Sequence, residues 1–446
     1  MTGCILLLIS CKECPTEPEP IVNTKSYHLK LATKFQGCNT VKFVLSSSDS
    51  LETKKWFLKR NGQNVSDGSF SGTDTVLTDS TVSVDSTYLY RAYLYRGVSN
   101  IIDSSNSLSV EMLSSTNNEF FWTVDTIGYS GFLWDVCAIS ENDVWVGGDY
   151  YVKELDSNNN VVSTHYNAAH WDGTKWKPVC IPVNILGTIT SAQIVSILAY
   201  SQDEVYFLSN SSLVQWNRTE YIQKVQLWNG MDDPYYHPLW SLWGYLGEYF
   251  YAGGREGYMI KTDGVSWERI SSFTTRDIKG IAGNSKGKIW ATACSYLVGD
   301  RGSLHFYNGM EWITIWDKNH PFYPFVSSFN VEYCSVDGIC GINDQSVILC
   351  VGGYDVMGVI HSQEDFSDYD ILFFQNTAWV RAIDGNDIND FFCVGDLNVV
   401  GHFNGKVYRE YPELAGGGYW EGVDQIGDYV FIAGNDYTPF VAKGIR

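Results

Sequence analysis

The side chains able to do chemistry in this chain are aromatic, acidic and arginine residues set far apart, not gathered in one short motif. Trp134, Asp149, Tyr150, Tyr235, Tyr236, His237, Arg255, Asp300, Arg301, Tyr323, Tyr354, Asp355 and Trp420 fall in or beside loops. Flat aromatic faces next to carboxylates and guanidinium groups suit a sugar ring or a peptide, held by stacking and charge-assisted hydrogen bonds. The same residue types could catalyse. Two carboxylates about 5–10 Å apart would serve as acid and base on a glycosidic bond, and a lyase would draw on Tyr, His or Arg. Asp384-Gly385-Asn386-Asp387-Ile388-Asn389-Asp390 looks superficially like a calcium loop but lacks the twelfth-position glutamate, and it reads as a solvated turn. The eight histidines form no pair at metal spacing. No phosphate-binding glycine loop and no nucleophile elbow occurs, so neither metal nor cofactor is expected.

The elements that must position these residues are announced by repeats. His170-Trp171-Asp172-Gly173-Thr174-Lys175-Trp176 has relatives at Asn229-Gly230, Asp263-Gly264, Asn308-Gly309 and Asn404-Gly405. Such pairs tolerate the positive φ of a tight hairpin. The gaps between these glycines are 57, 34, 45 and 96 residues. His170, His305 and His402 recur near this hairpin, which marks them as repeat positions and not as ligands. A second element, a turn followed by an alternating strand, begins at Asn142, Asp203, Gly247, Gly287, Gln345, Asn389 and Gly427. Its seven copies lie 47.5 residues apart on average, the spacing of β-propeller blades. The stretches before each turn, such as Trp134–Ile139 and Ile278–Gly283, are small and apolar and read as the innermost strands. The surplus strand Phe120–Asp125 is expected to complete the last blade from outside, closing the ring and removing two exposed edges. The expectation for 120–446 is therefore a seven-bladed β-propeller closed by an N-terminal outer strand.

Composition agrees with an all-β chain. Of 446 residues 15% are aromatic and only 18% charged, which suits packed strands and excludes a disordered or coiled-coil chain. A net charge of −21 disfavours nucleic acid as partner, because nothing would neutralise its phosphates. The eleven cysteines have no CxxC pair, and Cys137, Cys294, Cys340, Cys350 and Cys393 sit in strand contexts as small hydrophobes. A disulfide between any two remains possible.

The N-terminal third divides further. Residues 1–11 end in Leu8-Ile9-Ser10-Cys11, which resembles the lipobox of bacterial lipoproteins and implies lipidation of Cys11. The apolar run is shorter than in that family, and no Lys or Arg precedes it. Residues 12–23 read as an extended Pro/Glu linker. No other apolar stretch is long enough to span a bilayer, so any membrane tie would be the lipid. Residues 24–113 read as about seven short strands, including Thr40–Leu45 and Lys54–Arg60, and 114–119 as a polar linker. Val84–Tyr93 resembles the tyrosine-corner strand of fibronectin type III domains, implying a small β-sandwich.

The propeller region resembles kelch-like and Asp-box propellers of secreted or lipid-anchored bacterial proteins. Gly147-Gly148, Gly253-Gly254 and Gly352-Gly353 carry the kelch likeness, and Thr262–Trp267 the Asp-box likeness in one blade. The WD repeat fits poorly. A sialidase-like site could use Arg255, Arg301 and Arg381, but that family's Arg-Ile-Pro motif is missing. What these resemblances imply is an envelope or surface lipoprotein, exported across the inner membrane. Its propeller face would bind a polysaccharide or protein without catalysis. The alternatives are a carbohydrate-active enzyme and a structural part of a surface assembly.

Overall fold

The computed structural model describes residues 26–96, 100–185, 187–226, 238–245, 249–271, 273–283, 287–294, 302–317, 339–343, 346–350, 357–361, 369–372 and 378–446. Contacts divide the chain into two units between Met112 and Leu113. Among the described residues the regular structure is strand, apart from two single-turn 3-10 helices.

In the first unit six described strands join in one antiparallel sheet. The expected count of about seven fails at one place: Thr40–Leu45 and Lys54–Arg60 are halves of a single strand, Val41–Arg60. Register shifts between Ser46 and Lys54 bend it, since an extra residue on one side of an antiparallel pair kinks that strand. Its first half pairs with Lys30–Gln36 and its second with Thr87–Arg96, around a core that includes Phe43, Trp56, Phe70 and Tyr90. Tyr90 donates its hydroxyl to the buried Asp79 at 2.9 Å, and Arg60 donates to the same carboxylate at 3.0 Å. Tyr88 is the tyrosine that meets upstream backbone, accepting from the Ser83 amide at 3.3 Å.

The second unit contains seven four-stranded antiparallel sheets among the described residues, each built in sequence order except the last. Sheet 1 comprises Ser130–Ser140, Asp143–Leu155, Val161–Trp171 and Trp176–Val179; sheet 2 spans 194–226, sheet 3 239–269, sheet 4 277–316, sheet 5 339–372 and sheet 6 380–410. Sheet 7 takes Tyr419–Ile426, Tyr429–Asp436 and Thr438–Ile445, and then Phe121–Thr126 as its outer strand, in register from Phe440↔Thr126 to Ile445↔Phe121. First strands contact one another from each sheet to the next, and that of sheet 7 returns to sheet 1. All seven copies of the alternating strand are second strands. Second strands of sheets 3, 4, 6 and 7 are buried almost throughout, and that of sheet 1 as far as Tyr150, because they have neighbours within the sheet and sheets on both faces.

Side chains set the repeat. In sheets 1, 2, 3, 4 and 6 the turn after the third strand starts with Asp172, Asn217, Asp263, Asn308 or Asn404, whose Oδ1 accepts two downstream backbone N–H groups. The next residue has positive φ: Gly173, Arg218, Gly264, Gly309 and Gly405. The sheet 2 copy is thus Asn217-Arg218, missed in the sequence because arginine holds the glycine position; Asn229-Gly230 lies outside the described residues. Turns at 173, 218, 264 and 309 restore an even spacing. The glycine pairs have a packing cause. A Cβ on Gly147 would lie 2.7 Å from Ile194 of the next sheet, and one on Gly148 would lie 2.1 Å from the Phe132 carbonyl oxygen.

Residues 114–119, read as a linker, are fastened to sheet 6. Thr116 and Asn404 exchange backbone and side-chain bonds, Asn389 donates to the Ser114 carbonyl at 2.6 Å, and Arg409 pairs with Glu119 at 2.6 Å. Cys11 and residues 12–23 lie outside the described residues, as do the side chain of Cys350 and the pair Gly352-Gly353. Among the described residues no helix is long and apolar enough to cross a membrane.

Candidate functional site

The first strands of sheets 1, 2, 3, 4, 6 and 7 share one irregularity. Near the start of each, the pairing with the second strand skips one residue: Trp134, Val195, Trp240, Lys279, Arg381 and Glu421. A bulge re-aims the side chain it carries, and bulges concentrate at rims and sites. Here the bulged side chains of neighbouring sheets meet. The Lys279 ammonium lies 3.9 Å above the Trp240 ring, and Arg381 donates to Glu421 at 2.8 Å. Arg381 also bonds Asp396 at 2.5 Å and lies 4.7 Å over the Tyr419 ring. Trp134 stacks nearly parallel on the exposed Phe132 at 5.6 Å, and its buried indole N–H has no partner among the described residues. In antiparallel sheets built this way, first-strand starts and second-strand ends lie at the same end, so these groups share one face of the unit.

A second cluster sits beside Phe132. Asp149, the ladder partner of Phe132, bonds His165 Nε2, and His165 Nδ1 meets Ser191 Oγ at 2.8 Å. The buried Asn167 bonds the carbonyls of Ile181 and Ala192 and so anchors the segment carrying Ser191. The Tyr151 ring lies 5.1 Å from the imidazole.

Deeper on the first strands of sheets 6, 7 and 1 lies a cluster of three acids. Asp135 accepts from the Ile197 amide, Asp384 from that of Gln425 and Asp424 from that of Ala138, each at 2.7 Å. Every acid therefore ties its own sheet to the following one. Water still reaches these side chains in part, but protein surrounds them. Burial pushes the Asp135 carboxyl up to about 6, against the hydrogen bonds it accepts. Burial, then the neighbouring Asp384, raises Asp424 well above the carboxylate range; burial raises Asp384 too, and Asp424 hydrogen-bonds it. Cys137 and Cys340 face this cluster, and burial pushes both thiols up. Asp384 is therefore no solvated turn residue, and neither is Asp390, which is 2% exposed and binds Arg446 and His402. Among the described residues no group of three His, Cys, Asp or Glu is arranged to hold a metal.

Of the sequence candidates, Trp134 and Asp149 lie together beside Phe132. Tyr150 and Trp420 do not join them. Tyr150 is fully buried with its hydroxyl on the Ala168 carbonyl at 2.7 Å, and Trp420 is buried with its indole N–H on the Asn398 carbonyl at 3.0 Å. Both are core residues whose polar tips are already satisfied. Arg255 is exposed on a single-turn helix and pairs with its neighbour Glu256 at 3.2 Å. Tyr235, Tyr236, His237, Asp300, Arg301, Tyr323, Tyr354 and Asp355 lie outside the described residues. His165, Ser191, Phe132 and Glu421 were not among the sequence candidates. For His165 the one signal was that the turn between the second and third strands of sheet 1 comes late, which lengthens this hairpin; Phe132, Ser191 and Glu421 had none. His170 and His402 occupy equivalent third-strand places, stacked on Trp145 and Phe392 and bonded to Asp143 and Asp390.

No family model matches the chain, and no curated protein matches it. Solved structures do. YCF48 bound to D1 peptide is 10% identical with a TM-score of 0.50, over 73% of this chain and 97% of that one. The Neurospora crassa Pan2 WD40 domain is 10% identical with a TM-score of 0.45, over 74% and 97%. At this identity the likeness speaks of fold: the chain is all-β and resembles propeller domains.

Proposed function

We propose that the second unit is a seven-bladed propeller closed by Phe121–Thr126, and that it binds a segment of a partner protein where the bulged side chains meet. One observation carries the reading: the exposed Phe132, stacked on the half-buried Trp134, shares a face with a guanidinium–carboxylate cluster. A peptide offers an apolar side chain for Phe132 and Trp134 and charge for the Arg381 cluster. YCF48, of similar fold, was solved with a peptide, and this lends support. The parallel Phe132–Trp134 stack also favours a glycan as a second reading. A fibronectin-like spacer and a lipid on Cys11 would place this face at a bacterial surface.

The test is a peptide-array screen with the full chain, followed by calorimetric titration of each hit. Trp134→Ala should weaken binding at least tenfold, about 1.4 kcal/mol, while leaving the fold intact. Equal affinity in the variant would reject the assignment of this face.

A further inference from the structure

We infer that Ser191, His165 and Asp149 form a hydrolytic relay that cleaves carboxylic esters, an activity beyond partner binding. A carboxylate only accepts, so the imidazole must donate from Nε2 to Asp149. Nδ1 then carries the lone pair and accepts from the Ser191 hydroxyl at 2.8 Å. Nucleophile, base and orienting carboxylate thus stand in the order that activates a serine, with the two ring nitrogens exchanged relative to the usual triad. The arrangement differs from the other histidine–aspartate pairs of the unit. His402–Asp390 is buried and fixed by many partners, and His170–Asp143 sits at the equivalent repeat position. The relay stands apart from that repeat, and its side chains are part-exposed, His165 at 30% and Asp149 at 45%. Its segment is held in place by Asn167, and the exposed Phe132 beside Asp149 offers an apolar surface for an ester.

In the reaction Ser191 Oγ bonds to the ester carbonyl carbon as its proton passes to His165 Nδ1. The bond from that carbon to the alcohol oxygen then breaks, and the alcohol leaves with the proton. Water attacks the acyl-serine, its proton moves to Nδ1, and Ser191 recovers it as the carboxylic acid departs. Asp149 is a positioning residue that holds the required tautomer.

The test is labelling of the full chain with a fluorophosphonate, mapped by mass spectrometry, alongside hydrolysis of p-nitrophenyl acetate. The wild-type protein is read first: an adduct on Ser191 is expected, and its absence overturns the proposal whatever the variants do. Ser191→Ala should abolish labelling and His165→Gln should slow it at least about 100-fold, both with unchanged near-UV circular dichroism. Asp149→Asn should lower the rate and shift the pH profile, because the amide no longer enforces Nε2–H. Hydrolysis at the same rate in Ser191→Ala would also overturn the assignment.

Discussion

Asp390 receives hydrogen bonds from Arg446, His402, Asn386, Gln425 and Thr116, at 2.7 to 3.1 Å. Burial opposes its charge, but the bonds from His402, Arg446 and Asn386 outweigh that and hold the carboxyl well below the usual range. Removing one member of a buried charge pair strands the other, at about 3–5 kcal/mol. Asp390→Ala should therefore lower stability by about that amount in urea denaturation, and an unchanged midpoint would contradict the role given to this carboxylate. At this scale the sequence was least legible. Tyr150 and Tyr151 are adjacent and of one type, yet strand alternation buries the first and exposes the second. Sequence gave no means to choose until the register was known. Arg218 hid a turn for the opposite reason, because its conformation is dictated by Asn217 and not by its own residue type.

At the scale of elements, the first strands are joined through Asp135, Asp384 and Asp424, and this has a pH consequence. All three have folded pKa values above those of an unfolded carboxylate. The native state then binds more protons than the unfolded chain, so this contribution is complete below about pH 4 and fades as pH rises through the folded values, about 6 for Asp135. Asp390 has the opposite shift and weakens the fold only in stronger acid. The thermal midpoint should accordingly be higher at pH 5.5 than at pH 8. Asp424→Asn, which keeps an oxygen for the Ala138 amide and removes the charge, should shrink that difference. Equal midpoints in the wild type at the two pH values would contradict the burial argument. Strand starts and the outer strand were legible because turn chemistry and alternation are local. The acid cluster was not, since Asp135, Asp384 and Asp424 come together only when distant sheets pack.

At the scale of the whole molecule, the repeat made the seven sheets of the second unit readable, while the first unit was misread where one bent strand looked like two. The site is harder because it gathers Phe132, Trp134, Arg381 and Glu421 from sheets about 250 to 290 positions apart, a distance no motif spans. The measurement closest to the central claim is hydrogen exchange on the full chain with and without a peptide from the array. The account predicts slowed exchange confined to the first strands near Leu133–Val136, Val380–Ile383 and Tyr419–Val423. Protection confined to the first unit, or to the outermost strands, would contradict it.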